Sequence, residues 1–208
     1  MSIQFFDKKT NKFYKLAETS TWPTVLISGI RMHRTDEVDP KTDSMLKIKS
    51  FGKIFGKVLD TCTGLGYTAI IAARSPDVNT VITFEKDKNI LFLAKHNSYS
   101  RPLFEDEKIS LCINDSFLAV KSIKSNYFNF IIHDPPRFSL APHLYSQEFY
   151  NEIYRILKSR GKVFHYTGNP GSKQGKNYSK GISKRLKLAG FKKTKIIKRA
   201  DGILAFKF

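Results

Sequence analysis

The chain has 208 residues, 41% of them hydrophobic, a length and composition that favour one domain with a sizeable buried core. Lysine and arginine total 36 against 18 acidic residues, and the net charge of +18 favours a polyanionic partner, with solubility as the other explanation. Since no membrane span or signal peptide is readable and the two cysteines lack metal or disulfide spacing, a soluble cytoplasmic protein without a metal is expected.

Residues 1–38 are expected to form a small extension of short strands, because apolar residues alternate on both sides of Gly29 as in a hairpin. Residues 39–208 are expected to form the catalytic domain. It begins with a helix that Asp39 caps and that has Pro40 at its first position. Basic side chains at the end of the extension would then lie near the mouth of a site at the following strand ends: Arg31, His33 and Arg34.

Residues 58–68, VLDTCTGLGYT, predict a strand, a glycine turn and the start of a helix. The aliphatic strand ends at Asp60, and Gly64 and Gly66 lead into an alanine-rich helix. A glycine turn at the carboxyl end of a first strand lets a ligand approach the backbone and the amino end of the next helix. By itself, this turn is compatible with any nucleotide.

Three later strands are also followed by acidic residues. The strand TVITFE ends in Glu85, 19 residues beyond Gly66, close to the spacing of about 20 at which an acid binds ribose hydroxyls in dinucleotide sites. The strand KISLCI precedes Asp115, and the strand FNFIIH precedes Asp134, where two prolines prevent further pairing.

The second half of the chain continues the alternation of strands and helices. Residues 148–161, EFYNEIYRILKSRG, predict a helix that closes at the final glycine, and KVFHYTG predicts a fifth strand. A lysine-rich helix and two strands around the turn 200–202 follow. This order predicts a doubly wound α/β sheet with an antiparallel pair at its end. The long polar loop 165–181 is typical of a functional loop.

The motifs LDTCTGLGYT, FEKD, NDSF and HDPPRF fall in order at successive strand ends. With them the chain resembles the class I S-adenosylmethionine-dependent methyltransferases. With TWPTVLISGIRMHRT, HDPPRFS and FHYTGNPG it also looks like a family of predicted archaeal methyltransferases. The resemblance implies a Rossmann-like sheet of seven strands, mostly parallel with a C-terminal antiparallel hairpin, and S-adenosylmethionine as the cofactor.

The resemblance also implies which residues contact the cofactor. Gly64 and Gly66 would approach its methionine portion and Asp60 its amino group, while Glu85 would bind the ribose hydroxyls and Asp115 the adenine amino group. Acids suit a cofactor that carries sulfonium and ammonium cations, although capping of the following helices would also explain them. The complete predicted cofactor set is Asp60, Thr61, Cys62, Thr63, Gly64, Gly66, Tyr67, Glu85, Lys86, Asp115, Ser116 and Asp134.

The acceptor site is expected at the HDPPRF motif. The aromatic residue that often follows Asp-Pro-Pro in enzymes that methylate base amino groups is displaced here by one position, to Phe138, so the methylated atom stays open. The carboxylate of Asp134 would accept protons from an exocyclic amine, and Arg137 would bind a phosphate or a carboxylate. Phe138 or Tyr166 would stack on an extruded base. The predicted catalytic set is Asp134, Pro135, Pro136, Arg137, Phe138 and Tyr166.

The function predicted from the sequence is methylation of a base in transfer or ribosomal RNA. A small-molecule methyltransferase or polyamine aminopropyltransferase-like enzyme is the first alternative, and an acceptor pocket that is closed and rimmed by acids would favour it. A non-catalytic RNA-binding module is the second alternative. His133 and His165 are expected to line the acceptor pocket. The predicted RNA-binding residues are Arg31, His33, Arg34, Lys173, Lys176, Lys180 and Lys184.

Overall fold

A computed structural model describes residues 3–168 and 173–208, and for residues 173–176 it describes the backbone alone. The chain begins with a four-stranded antiparallel sheet in the order β1-β2-β3-β4. The predicted hairpin around Gly29 is confirmed, and two further strands extend it into a sheet. The strands are β1 (Gln4–Asp7), β2 (Lys12–Ala17), β3 (Thr24–Ile27) and β4 (Ile30–Arg31).

The predicted helix cap is confirmed, since the Asp39 carboxylate accepts a hydrogen bond from the backbone N–H of Thr42 at 2.9 Å. No helix in the described ranges is long and apolar enough to cross a membrane. The elements from this cap onward are α1 (Pro40–Lys49), β5 (Gly56–Asp60), α2 (Tyr67–Ala73), β6 (Val78–Glu85), α3 (Lys88–Lys95), α4 (Pro102–Glu105), β7 (Ile109–Ile113), α5 (Ser116–Ser122), β8 (Phe128–His133), α6 (Gln147–Ile156), β9 (Leu157–Tyr166), α7 (Lys173–Leu188), β10 (Lys193–Ile197) and β11 (Gly202–Phe206).

The second sheet has seven strands in the order β10-β11-β9-β8-β5-β6-β7. Its central strand β5 pairs in parallel with β6 on one side and with β8 on the other. Strand β11 is antiparallel to both β9 and β10. The predicted α/β class is therefore confirmed, including the antiparallel C-terminal pair. Because the strand order reverses at β5, the crevice at its carboxyl end is the expected ligand site.

Two predicted boundaries are wrong. The loop predicted over residues 165–181 is shorter, because β9 extends to Tyr166 and α7 begins at Lys173. The helix expected to reach Gly161 ends at Ile156, and β9 begins at the next residue. Leu157 is fully buried and pairs with Phe128 of β8, and the register of that pairing then shifts. Arg160 takes a left-handed φ of 63° within this irregular stretch. Pairing with the buried central sheet therefore outweighs the local helical pattern.

The amino-terminal sheet packs on the helices that follow β5 and β6. Its side chains Tyr14 and Val25 are buried in one apolar cluster with Leu65 and Tyr67. The Tyr67 hydroxyl donates a hydrogen bond to the Pro23 carbonyl at 2.8 Å. Residues 3–31 therefore form a wall that stands beside the carboxyl ends of the parallel strands.

Candidate active site

A cavity of about 1120 Å³ lies at the carboxyl ends of β5, β6 and β8. Residues 25–37 of the amino-terminal sheet and its following loop form one side. The glycine turn and Glu85 form a second side, and residues 134–141 with Tyr166 form a third. Strands β3 and β4 thus form part of the site, at the place where Arg31, His33 and Arg34 were expected.

Most of the predicted site residues line this cavity. Those that do are Arg31, His33, Arg34, Cys62, Thr63, Gly64, Tyr67, Glu85, Lys86, Asp134, Pro135, Pro136, Arg137, Phe138 and Tyr166. Those that do not are Asp60, Thr61, Gly66, Asp115, Ser116, Lys180 and Lys184.

The two glycines of the turn have different roles. Both have positive φ, 54° at Gly64 and 81° at Gly66. A side chain at Gly66 would collide with Leu103, whose nearest atom would lie 2.8 Å from the added Cβ. A Cβ at Gly64 would meet nothing within 4 Å, because this glycine faces open space beside the cavity. Gly66 therefore permits packing, and Gly64 leaves room for a ligand at the backbone.

Glu85 lies next to that space. Its carboxylate accepts hydrogen bonds from the backbone N–H of Gly64 at 3.0 Å and of Asp87 at 2.9 Å. Burial raises the pKa of Glu85 to about 6, although these amide donors oppose the shift. Tyr14 of the amino-terminal sheet donates its hydroxyl to Asp87 at 2.8 Å. A carboxylate with acceptor oxygens beside open backbone fits the ribose hydroxyls of a sulfonium nucleoside.

The carboxylate of Asp134 is held by a buried lysine that the sequence analysis missed. Its Oδ2 atom lies 2.6 Å from Nζ of Lys47, which also lies 2.7 Å from Oδ2 of Asp43. Burial raises the pKa of Asp134, and Lys47 opposes that shift. The Lys47 ammonium also lies 4.6 Å from the centre of the Tyr166 ring. A signal was available, since Asp43 and Lys47 are four residues apart on a predicted helix.

Arg34 extends this group of charges to the C-terminal strands. Its guanidinium lies 2.9 Å from Asp201 and 3.4 Å from Asp43. It also donates a hydrogen bond to the Arg199 carbonyl at 3.0 Å. Arg34 also pairs with Glu37 at 3.5 Å, so two cations face four carboxylates, and two negative charges are unbalanced when all four are ionised. A site of this charge favours a cationic ligand.

The prediction that His133 and His165 line the acceptor pocket is wrong. Both side chains are 1% exposed and point into the protein. His133 accepts from the Thr61 hydroxyl at 2.7 Å and donates to the Leu144 carbonyl at 3.0 Å. His165 accepts from the Tyr150 hydroxyl at 2.8 Å. Burial lowers the pKa of both imidazoles, that of His165 to about 3, so they are neutral, hydrogen-bonded core residues.

The model for the spermine/spermidine synthase domain matches residues 75–197, more than half of the chain. The chain belongs to the spermine/spermidine synthase domain family. A protein of Methanocaldococcus jannaschii without an assigned function is 51% identical over 199 residues, which are 95% of this chain and 68% of that protein.

Two relatives carry functional names. Polyamine aminopropyltransferase of Saccharolobus solfataricus is 28% identical over 111 residues, 51% of this chain and 37% of that enzyme. Putrescine N-methyltransferase 1 of Nicotiana tabacum is 25% identical over 166 residues, 77% of this chain and 44% of that enzyme. The chain thus spans less than half the length of either. A spermidine synthase structure in complex with the transition-state analogue AdoDATO shares the fold, with a TM-score of 0.79 at 21% identity, over 100% of this chain and 73% of that one.

In this member of the synthase domain family, Asp115 and Asp60 do not line the cavity. Asp115 caps α5 by accepting from the Phe117 N–H at 2.9 Å, and it pairs with Lys86 at 3.0 Å. Asp60 is fully buried and accepts from the Thr68 hydroxyl at 2.7 Å. Contact of either acid with a cofactor stays a prediction.

Replacing Asp60 with asparagine is expected to flatten the pH dependence of stability. Burial raises the pKa of Asp60 to about 7, above its value in the unfolded chain. Between about pH 4 and about pH 7 the unfolded carboxyl ionises first, so the free energy of unfolding falls by up to about 4 kcal/mol. Urea unfolding across this range should show the full fall in the wild type and in the exposed control Asp77→Asn, and a smaller fall in Asp60→Asn, to which Glu85 and Asp134 still contribute. If the free energy of unfolding changed with pH in the same way in all three proteins, the raised pKa of Asp60 would be contradicted.

Two aromatic side chains that the sequence analysis did not single out, Tyr145 and Tyr178, line the cavity beside the HDPPRF motif. The Phe138 ring lies 5.5 Å from that of Tyr145 and 6.2 Å from that of Tyr178. The Tyr145 hydroxyl donates to the Pro136 carbonyl at 2.9 Å and so braces the motif. Arg137 is exposed and forms no ion pair with the described residues.

The residues predicted to bind RNA fall into two groups. Those in the cavity wall already have partners within the protein, as Arg31 pairs with Asp36 at 3.3 Å and His33 with Thr24 at 3.0 Å. Lys180 and Lys184 are exposed on α7. The side chains of Lys173 and Lys176, and loop residues 169–172, lie outside the described residues.

Proposed function

We propose that the chain transfers an alkyl group from a sulfonium nucleoside of the S-adenosylmethionine type to an amine of a small molecule. The observation that carries this proposal is the covered cavity with carboxylates at two strand ends, Glu85 after β6 and Asp134 after β8. When bound, the sulfonium nucleoside supplies an electrophilic carbon. Two relatives are named for transfers of this kind, a polyamine aminopropyltransferase and a putrescine N-methyltransferase.

The two carboxylates have different roles in the proposal. Glu85 and the open backbone at Gly64 hold the nucleoside. Asp134 binds the acceptor ammonium and takes a proton from it, which frees the nitrogen lone pair for attack. Lys47 fixes the orientation of Asp134, and residues 25–37 enclose one side of the space in which the donor and the amine would meet. Transfer then needs in-line placement of the amine and the donor carbon more than any further chemical group.

Aminopropyl transfer is the first candidate, because the family model and the Saccharolobus relative are named for polyamine synthesis. Methyl transfer is the second, and Arg137 favours it. An S-adenosylmethionine donor carries a carboxylate, and Arg137 is a cavity-lining cation that no described acid neutralises. An aminopropyl donor lacks that carboxylate.

The experiment compares both donors directly. Purified protein is incubated with methyl-labelled S-adenosylmethionine or with aminopropyl-labelled decarboxylated S-adenosylmethionine, each with a panel of diamines and polyamines and with unfractionated RNA. Label in a small amine is expected, and the donor that gives it identifies the transferred group. Label found in RNA alone would overturn the small-amine proposal in favour of methylation of an RNA base. Absence of label from every acceptor, with no saturable donor binding by calorimetry, would favour a non-catalytic module.

A further inference from the structure

The two edge strands of the seven-stranded sheet, β7 and β10, differ in their protection against pairing with another chain. Strand β10 carries Lys193 and Lys195, and charges of this kind on an edge strand discourage such pairing. Strand β7 has the sequence ISLCI, which contains neither a charged residue nor a proline. Its pairing with β6 also runs without a register shift. Strand β7 therefore lacks the charges, prolines and bulges that protect edge strands.

The backbone of β7 has free hydrogen-bonding groups on its outer side. On the inner side, the N–H of Asn114 donates to the Glu85 carbonyl of β6 at 3.1 Å. Because successive residues of a strand direct their backbone groups to opposite sides, the even-numbered residues of β7 face β6. Leu111 and Ile113 therefore direct their N–H and C=O groups outward. These outer groups have no hydrogen-bond partner among the residues that the structure describes.

The segment around β7 differs in charge from the rest of the chain. Residues 104–118 contain four acids and one lysine, although the whole chain has 36 basic residues against 18 acidic ones. On the strand itself, the side chain of Ile113 is 60% exposed. An acidic segment attracts a second copy of a basic chain, whereas the basic edge at β10 repels one. The charge at β7 therefore favours a second copy of this chain as the partner.

We propose that two copies of the chain pair through β7, antiparallel and about a two-fold axis, so that their sheets become one continuous sheet. The N–H of Ile109 already donates to the Asp106 carbonyl at 2.9 Å, which leaves the outer N–H groups of Leu111 and Ile113 free. The register that pairs Leu111 of each copy with Ile113 of the other gives a partner to every outer N–H and C=O of these two residues. The two-fold axis buries the same patch on both copies.

This register places Cys112 of each copy opposite Cys112 of the other, on the two-fold axis. The two cysteines form a pair without mutual hydrogen bonds, and the Cα atoms of such antiparallel pairs are about 4.5 Å apart. Disulfides span Cα separations of about 4.4–6.8 Å. Both cysteines of the chain are free thiols, and Cys62 lies elsewhere, in the cavity wall. A disulfide between two Cys112 residues is therefore a specific mark of the proposed register.

The first test measures the mass of the purified chain by light scattering after size-exclusion chromatography, over a series of concentrations. The wild type should have twice the mass of one chain. Ile113→Lys puts two like charges into the interface and should weaken the dimer about tenfold or more. The matched control is Ile196→Lys on the other edge strand, at a residue that is 55% exposed, and this variant should keep the dimer.

The second test adds diamide, which takes two electrons and two protons from a pair of thiols. A disulfide-linked dimer should form in the wild type and in Cys62→Ser, and it should be lost in Cys112→Ser. Thermal unfolding of each variant confirms that it is folded. No residue of β7 lines the cavity, so neither test depends on the proposed function.

A single chain at every concentration would overturn the proposal. A dimer that Ile113→Lys leaves intact, or one in which Cys112 forms no disulfide, would overturn it as well, because the two copies would then meet through another surface or register.

Discussion

Replacing Lys47 with methionine is expected to lower the free energy of unfolding by about 3–5 kcal/mol. The lysine is 3% exposed and lies between the carboxylates of Asp43 and Asp134. Burial opposes its charge, but the two acids more than offset this and raise the pKa of Lys47. Methionine fills a similar volume and leaves two buried acids without their common cation, so the loss comes from charge and not from a cavity.

Urea unfolding of the purified variants measures this effect. Lys49→Met is the matched control, because Lys49 is on the same helix and exposed. The control should change stability by less than about 0.5 kcal/mol. Asp43→Asn combined with Lys47→Met should cost less than the sum of the two single changes, since the pair is in contact. Strictly additive losses would contradict a direct interaction.

Replacing Asp134 with asparagine is expected to lower the rate of alkyl transfer about 100-fold or more while donor affinity changes little. Asparagine keeps an oxygen for Lys47 but neither attracts an ammonium nor takes its proton. Donor binding should persist because the groups proposed to hold the nucleoside, at Gly64 and Glu85, are on other strand ends. The measurement combines initial rates with labelled donor and donor affinity by calorimetry.

The control for this prediction is Asp36→Asn. Asp36 also lines the cavity, but its side chain is 93% exposed and pairs only with Arg31 among the described residues. Its loss should leave the rate within about twofold, as expected for a solvent-screened charge. Because burial raises the pKa of Asp134, the wild-type rate should rise with pH as that carboxyl ionises. Asp134→Asn should lack this rise, and a variant that keeps both the rate and the rise would refute the assignment.

Local signals in the sequence were sufficient for the strand ends. Glu85 is the last residue of β6, Asp115 comes after β7 and Asp134 directly follows β8, as predicted, because aliphatic runs and prolines mark these boundaries without reference to the rest of the chain. The cap at Asp39 and the turn at Asp201 are equally local and were also predicted. The α/β fold class could therefore be predicted from the alternation of strands and helices.

Contacts between distant segments could not be predicted in this way. Lys47 resembles any lysine of an amphipathic helix, and its partner Asp134 is 87 residues away. His133 is a polar residue at the end of a strand, and only the tertiary packing of Thr61 and Leu144 makes it a core residue. The sequence placed Arg31, His33 and Arg34 near the mouth of the site, but it did not show that residues 25–37 form one side of the cavity, because that depends on packing against α2 and α3.

The amino-terminal sheet also has a consequence for the order of folding. Its buried side chains Tyr14 and Trp22 pack against a cluster that includes Tyr67 and Leu93. During synthesis from the amino end, the first two leave the ribosome long before the others exist, so they stay exposed until α3 has emerged. The cavity wall is thus made before the segments that it packs against. Aromatic side chains that stay exposed until their packing partners are synthesised are suitable sites for a chaperone to bind the nascent chain.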